Sequence, residues 1–162
     1  MGDTSKLKHE TWMRVAYEQA LRAQDVGEVP VGAAVIANGQ IMGVGFNQTI
    51  GAIDPTAHAE VVALRDASRR MGNYRLTGTA LYVTVEPCLM CAGALVHARV
   101  GTLVYGTSEP KTGAVRSVAR ILDHWALNHQ IEVVHGVLAD ECRELIQSFF
   151  QSRRNNADLT VS

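Results

Sequence analysis

Two short segments, His58-Ala59-Glu60 and Pro87-Cys88-Leu89-Met90-Cys91, hold the residue types and spacings that could do chemistry. Zinc prefers nitrogen and thiolate donors, and a catalytic zinc keeps three protein ligands with a fourth position open to water. One His and two Cys supply that count. Cys88 and Cys91 are three apart, so on a helix they share a face and reach one ion. Pro87 suits a first helical turn, and a helix start lowers thiol pKa towards the thiolate that a metal needs. His58 and Glu60 are two apart, about 200° around a helix, so one site uses both only off the helix's open end or beside an irregular first turn. Asp54-Pro55-Thr56 just upstream are helix-start residues. A metal that lowers the pKa of a water towards ~7, beside a carboxylate that moves protons to a leaving group, is a hydrolytic device.

Competing readings of the same residues have consequences of their own. A C-x-x-C also serves thioredoxin-like redox chemistry, but without an upstream His-x-Glu. A purely structural zinc needs a fourth protein ligand, for which His97 is the nearest candidate. The third cysteine, Cys142, sits among apolar neighbours on a helical pattern and reads as core. Three cysteines leave one unpaired, which argues against a disulfide framework.

The elements that must position these groups follow from hydrophobic period. Trp12, Val15, Ala16, Ala20 and Ala23 mark a helix over residues 9–23. Residues 31–37 and 41–46 are apolar runs around Asn38-Gly39, a strong hairpin signal. Helices are predicted at 57–70, 88–97 and 115–122, and strands at 80–85, 102–105 and 131–135. Leu138, Cys142, Leu145, Ile146, Phe149 and Phe150 stripe a last helix. A hairpin followed by helix–strand units implies an α/β fold with a mixed sheet and helices packed on it.

With 162 residues, 47% of them hydrophobic and 19% charged, the chain suits one globular domain. The expected core is residues 9–154, with polar ends 1–6 and 155–162 poorly ordered. No stretch suits a membrane span or a secretory signal, and Lys6 spoils a myristoylation pattern after Gly2, so the expected compartment is cytoplasmic. A net charge of −1 is unlike a broad nucleic-acid-binding face and leaves room only for a local grip on a few nucleotides.

His-x-Glu followed by Pro-Cys-x-x-Cys is the signature of zinc deaminases. From about residue 9 to 154 the sequence resembles the bacterial tRNA-specific adenosine deaminases of the cytidine-deaminase-like superfamily. The matching stretches include Glu28-Val29-Pro30-Val31-Gly32-Ala33, Asp54-Pro55-Thr56-Ala57-His58-Ala59-Glu60, Asn73-Tyr74-Arg75-Leu76, Thr84-Val85-Glu86-Pro87-Cys88 and Lys111-Thr112-Gly113-Ala114. The resemblance implies a three-layer α/β/α fold with a mixed five-stranded sheet, a homodimer, and conversion of adenosine to inosine at the wobble position of a tRNA anticodon loop. It implies one zinc per chain on His58, Cys88 and Cys91, with Glu60 as proton shuttle. Backbone N–H groups near Ala59 and Cys88 would stabilise the tetrahedral centre. The same family is the parent of adenine base-editor deaminases, so single-stranded DNA is a further substrate if the chain is engineered.

Substrate choice falls to other positions. Asn47, after the second strand, corresponds to the family's base-contacting Asn. Val29 lines the base pocket or packs in the core. Of Phe149 and Phe150 one is core by spacing; the other, Phe150 in our assignment, grips the anticodon loop with Arg153 and Arg154, or the three form a solvated helix end. Glu109 stands where the family usually has Asp beside the nucleotide preceding the target. Arg116 and Trp125 also depart from the family pattern and have no assigned role. The rivals are a deaminase of a free base or nucleoside, of the guanine or cytosine type, and a non-catalytic zinc module that binds RNA; the second should have lost Glu60.

Overall fold

Asn38 and Gly39 both take positive φ, 53° and 69°, which is the backbone of a two-residue hairpin turn. They join β1 (Gly32–Ala37) to β2 (Gln40–Phe46), preceded by α1 (Gly2–Asp25). The chain continues through α2 (Ala59–Met71), β3 (Ala80–Val85), α3 (Leu89–His97) and β4 (Thr102–Thr107). A 3-10 turn at Ile121–Asp123, β5 (Glu132–His135) and α4 (Ala139–Thr160) complete it. These elements come from a computed structural model that describes residues 2–160.

The sheet order is β2-β1-β3-β4-β5, antiparallel across β2, β1 and β3 and parallel across β3, β4 and β5. Both faces are covered, so the central strands read as continuous apolar runs rather than alternating ones. Ala33, Val35, Leu81, Val83, Leu103 and Tyr105 face the core beneath α2 and α3. Ala34, Ile36, Tyr82 and Val104 face the other core, against Met13 and Ala16 of α1. The three-layer α/β/α arrangement with a mixed five-stranded sheet is the one expected. Cys142 is 1% exposed, as a core residue should be.

The terminal helices are longer than expected. Residues 2–6 and 155–160 are helical, continuing the adjoining helices where neither segment contains a Pro to stop them; Met1, Val161 and Ser162 lie outside the described residues. The apolar spacing over 115–122 does not make a helix. The N–H groups of Val115, Arg116 and Ser117 go to the carboxylate of Glu86, and those of Val118, Ala119 and Ile121 return to the carbonyl oxygens of Gly113 and Ala114, so no i→i−4 ladder forms and only the 3-10 turn is left.

A close seam sets the depth of α2. A Cβ on Gly45 would stand 2.6 Å from the backbone nitrogen of Ala63 and 2.7 Å from the carbonyl oxygen of Ala59. Only glycine lets β2 carry the start of α2 this near the sheet.

Candidate metal centre and active-site pocket

The site forms where two helices begin beyond the ends of strands. His58 is the N-cap of α2, in extended conformation (φ −72°, ψ 153°), and Cys88 is the N-cap of α3 (φ −75°, ψ 177°). His58 therefore stands off the open end of its helix, which resolves the two-residue spacing to Glu60. Asp54 does not cap α2; its carboxylate instead accepts from the N–H and hydroxyl of Thr56 at 2.8 and 2.7 Å, a local turn before the helix. Pro87 likewise lies just ahead of the N-cap rather than in the first turn of α3.

Nδ1 of His58 is 3.5 Å from Sγ of Cys88 and 3.5 Å from Sγ of Cys91. All three donor atoms lie within 4.8 Å of one another. A sulfur about 2.3 Å and a nitrogen about 2.0–2.1 Å from one tetrahedral ion must stand about 3.5 Å apart. The donor set and its spacing thus fit zinc. Among the described residues His97 is not part of this group.

Electrostatics favour the same use. Hydrogen bonding from Cys91 and then His58 holds the Cys88 thiol down at about 4, while the Cys88 sulfur and burial push the Cys91 thiol upwards. The hydrogen bond to Cys88 raises His58 despite burial. Glu60, 4% exposed in the first turn of α2, has its carboxyl pushed up to about 7 by burial. A carboxyl with that value both accepts and releases protons near neutral pH.

A cavity of about 300 Å³ opens over these groups. Its lining brings together His58, Ala59, Glu60 and Cys88 with four of the residues singled out for substrate contact: Val29, Asn47, Glu109 and Phe150. Arg153 and Arg154 do not line it. Arg153 donates to the carbonyl oxygen of Gly27 and lies 4.7 Å from the Phe149 ring centroid, and Arg154 donates to Gln151. Trp125 is 89% exposed and stacks on His124.

Sequence reasoning missed two buried carboxylates. Glu28, 2% exposed, accepts from the N–H groups of Ile50 and Gly51 at 2.9 and 2.8 Å, and from Asn47 and Thr49 at 3.4 Å. It fixes the loop that presents Asn47. Glu86, 3% exposed, holds the loop after β4. Burial raises its pKa, but hydrogen bonds from Arg116, Ser117 and Glu109 outweigh that and bring it below the usual carboxylate value. Acidic residues just before Val29 and Pro87 were visible, but nothing local marks their partners.

Residues 7–154 match the MafB19-like deaminase family. The chain is 47% identical to the tRNA-specific adenosine deaminase of Haemophilus influenzae, across 94% of this chain and 90% of that protein. It is 41% identical to the Bacillus subtilis protein of the same name, across 90% of each. A solved structure from work on A-to-I editing by tRNA:A34 deaminases at the wobble position superposes with a TM-score of 0.81. That pair is 38% identical, over 83% of this chain and 98% of the other. Guanine deaminase from Nitrosomonas europaea shares the fold, with a TM-score of 0.71 at 22% identity over 86% of this chain and 83% of that one. With a deaminase signature assembled around one pocket and relatives matched over nearly their full length, the chain belongs to the MafB19-like deaminases, in the branch of the bacterial tRNA-specific adenosine deaminases.

Proposed function

We propose that this protein is a zinc-dependent enzyme that hydrolyses adenosine to inosine at the wobble position of a tRNA anticodon loop, releasing ammonia. The observation that carries the reading is the His58–Cys88–Cys91 donor set beside buried Glu60 in one cavity. His58, Cys88 and Cys91 would hold the zinc, one per chain. Bound there, zinc would act as a Lewis acid and would make water nucleophilic near neutral pH.

The remaining work falls to the protein. Glu60 takes a proton from the attacking water and passes it to the ring nitrogen of the base, then moves the remaining hydroxyl proton to the amino group, which leaves as ammonia. Backbone N–H groups near Ala59 and Cys88, at the starts of α2 and α3, would stabilise the tetrahedral centre that forms when water adds to the base. Asn47 and Val29 hold the base, Glu109 and Phe150 meet its neighbours, and Arg153 and Arg154 lie near the RNA backbone. An anticodon loop presents an unstacked base at low cost, which suits a pocket this small.

The functional unit in this reading is a single deaminase domain, paired as a homodimer in the cytoplasm. Leu89 and Met90 of α3, 63% and 36% exposed, leave apolar surface for a second copy to cover. No helix among the described residues is long and apolar enough to cross a membrane.

Incubation with tRNAs, anticodon stem-loops, single-stranded DNA and free bases, followed by inosine detection, tests the assignment. Inosine confined to the wobble adenosine of particular tRNAs is expected. Equal turnover of free guanine or adenine would overturn the tRNA reading and leave the deaminase chemistry standing.

A further inference from the structure

The loop after β4 wraps a carboxylate that the reaction itself does not use. Glu109 N–H donates to Oε1 of Glu86 at 3.1 Å, and the Ser117 hydroxyl donates to the same oxygen. The N–H groups of Val115, Arg116 and Ser117 all donate to Oε2, at 3.1, 2.9 and 3.0 Å. Three successive amides converging on one oxygen form an anion nest. The wrapping leaves no space: a Cβ on Gly113 would lie 2.4 Å from Cδ of Glu86 and 2.5 Å from the carbonyl oxygen of Glu109. A second tie at the same place is the Ala114 N–H, 2.9 Å from the carbonyl oxygen of Pro87.

Packing alone does not call for such an arrangement. Desolvating a carboxylate is costly, and an apolar side chain would fill the volume without that cost. What the charge achieves is a fixed relation between two segments. One is the strand end that presents Cys88; the other carries Glu109 and Thr112, both in the pocket lining. Thr112 is exposed and Glu109 half-buried, whereas Ala59 and Glu60 are buried, so the loop forms the outer wall of the cavity. A base fills the deep end; whatever is attached to it meets the wall.

We infer that Glu86 is a positioning residue that fixes residues 109–117 as the outer wall of the pocket, and so governs how the nucleotides flanking the target base are held. The role rests on the tRNA reading for its substrate but not for its geometry. In Glu86→Gln one acceptor oxygen becomes an NH2 donor facing backbone N–H groups, which undoes half of the nest. Gly113→Ala disrupts the wrapping without altering the carboxylate, so the two variants are independent.

Hydrogen exchange of the zinc-loaded full chain reads the clamp directly. Amides 109 and 115–117 should exchange about tenfold faster or more in both variants, by the loss of one charge-assisted bond, while the amides of β3 and β4 keep their protection. With an anticodon stem-loop as substrate, KM should rise about tenfold and kcat change by less than about threefold, since binding of the flanks is lost and the reacting groups stay in place. Zinc content should not move. Unchanged exchange in both variants would overturn the clamp. Faster exchange with KM unchanged, or zinc loss in both, would reduce Glu86 to a structural residue. If the unsubstituted enzyme did not turn over the stem-loop, the substrate reading would fall and the exchange result would still decide the clamp.

Discussion

Arg153 donates a hydrogen bond to the carbonyl oxygen of Gly27, 126 positions away in the chain, and so fastens α4 to the loop that leads into Val29. Its guanidinium also lies over Phe149, one residue before the pocket-lining Phe150. The side chain is exposed, which limits its worth to roughly 1 kcal/mol from the cation–π contact and hydrogen bond together. Arg153→Ala should lower Tm by about 2–4 °C, and Arg154→Ala should not. In tRNA binding, Arg154→Ala should flatten the salt dependence by about one counterion. Thermal melts and a salt titration check both; equal Tm for the two variants would remove the latch.

The metal centre makes a compositional prediction. Freshly purified protein should contain about one zinc per chain, and His58→Ala, Cys88→Ser and Cys91→Ser should each lose most of it. Chelation should lower Tm, because the ion binds the assembled donors and not the unfolded chain with comparable strength. Elemental analysis with paired melts decides the matter, and a zinc-free active enzyme would sink the assignment.

Glu60→Ala should retain zinc and fold but lose turnover by about 10²–10⁴-fold or more, since proton transfer is removed while the three donors remain. Single-turnover inosine formation is the measurement. A near-normal rate would dismiss Glu60 as the shuttle.

His9 gives a pH dependence of stability. Its Nδ1 is 2.8 Å from the hydroxyl of Tyr82, whose own pKa burial pushes up to about 12. Burial, then the charge of Lys8, lowers the His9 pKa below 6.5, with Glu132 opposing. The unfolded chain therefore binds more protons between the two values, so stability falls as pH drops below about 6.5 towards the folded pKa. Urea melts at pH 7.5 and 5.5 should show a smaller acid loss in His9→Gln than in the unsubstituted protein; identical losses would exclude His9 as a source.

Most of the site was legible because its signals are local. His58, Glu60, Cys88 and Cys91 declare themselves by spacing, and Asn38-Gly39 marks the hairpin by its backbone demand. Val115, Val118, Ile121 and Leu122 mislead for the opposite reason. Their helical period is genuine, yet the segment wraps the carboxylate of Glu86, about 30 residues earlier, and the amides of Val118, Ala119 and Ile121 return to Gly113 and Ala114 instead of building a helix. Glu28 escaped notice likewise, since its donors lie in a loop 19 to 23 residues on. Arg153 reads from the sequence only as a cation at a helix end; its hydrogen bond to the carbonyl oxygen of Gly27 has no local signal either. Period and spacing report what a segment does alone, and a side chain that binds distant backbone leaves no such trace.

The His58 and Cys88 N-caps have a consequence for the order in which the protein can be built. All three donors are present in the chain once residue 91 is synthesised, before β4, β5 and α4 exist. Cys88 and Cys91 lie close in the chain, so they can meet on one turn of α3 early. His58 joins them only when β1 has paired with β3 and the glycine seam has seated α2. Full affinity for the ion is therefore a property of the assembled sheet. A nascent chain ending after α3 would carry every ligand, and its zinc affinity would report how far the N-terminal half has closed.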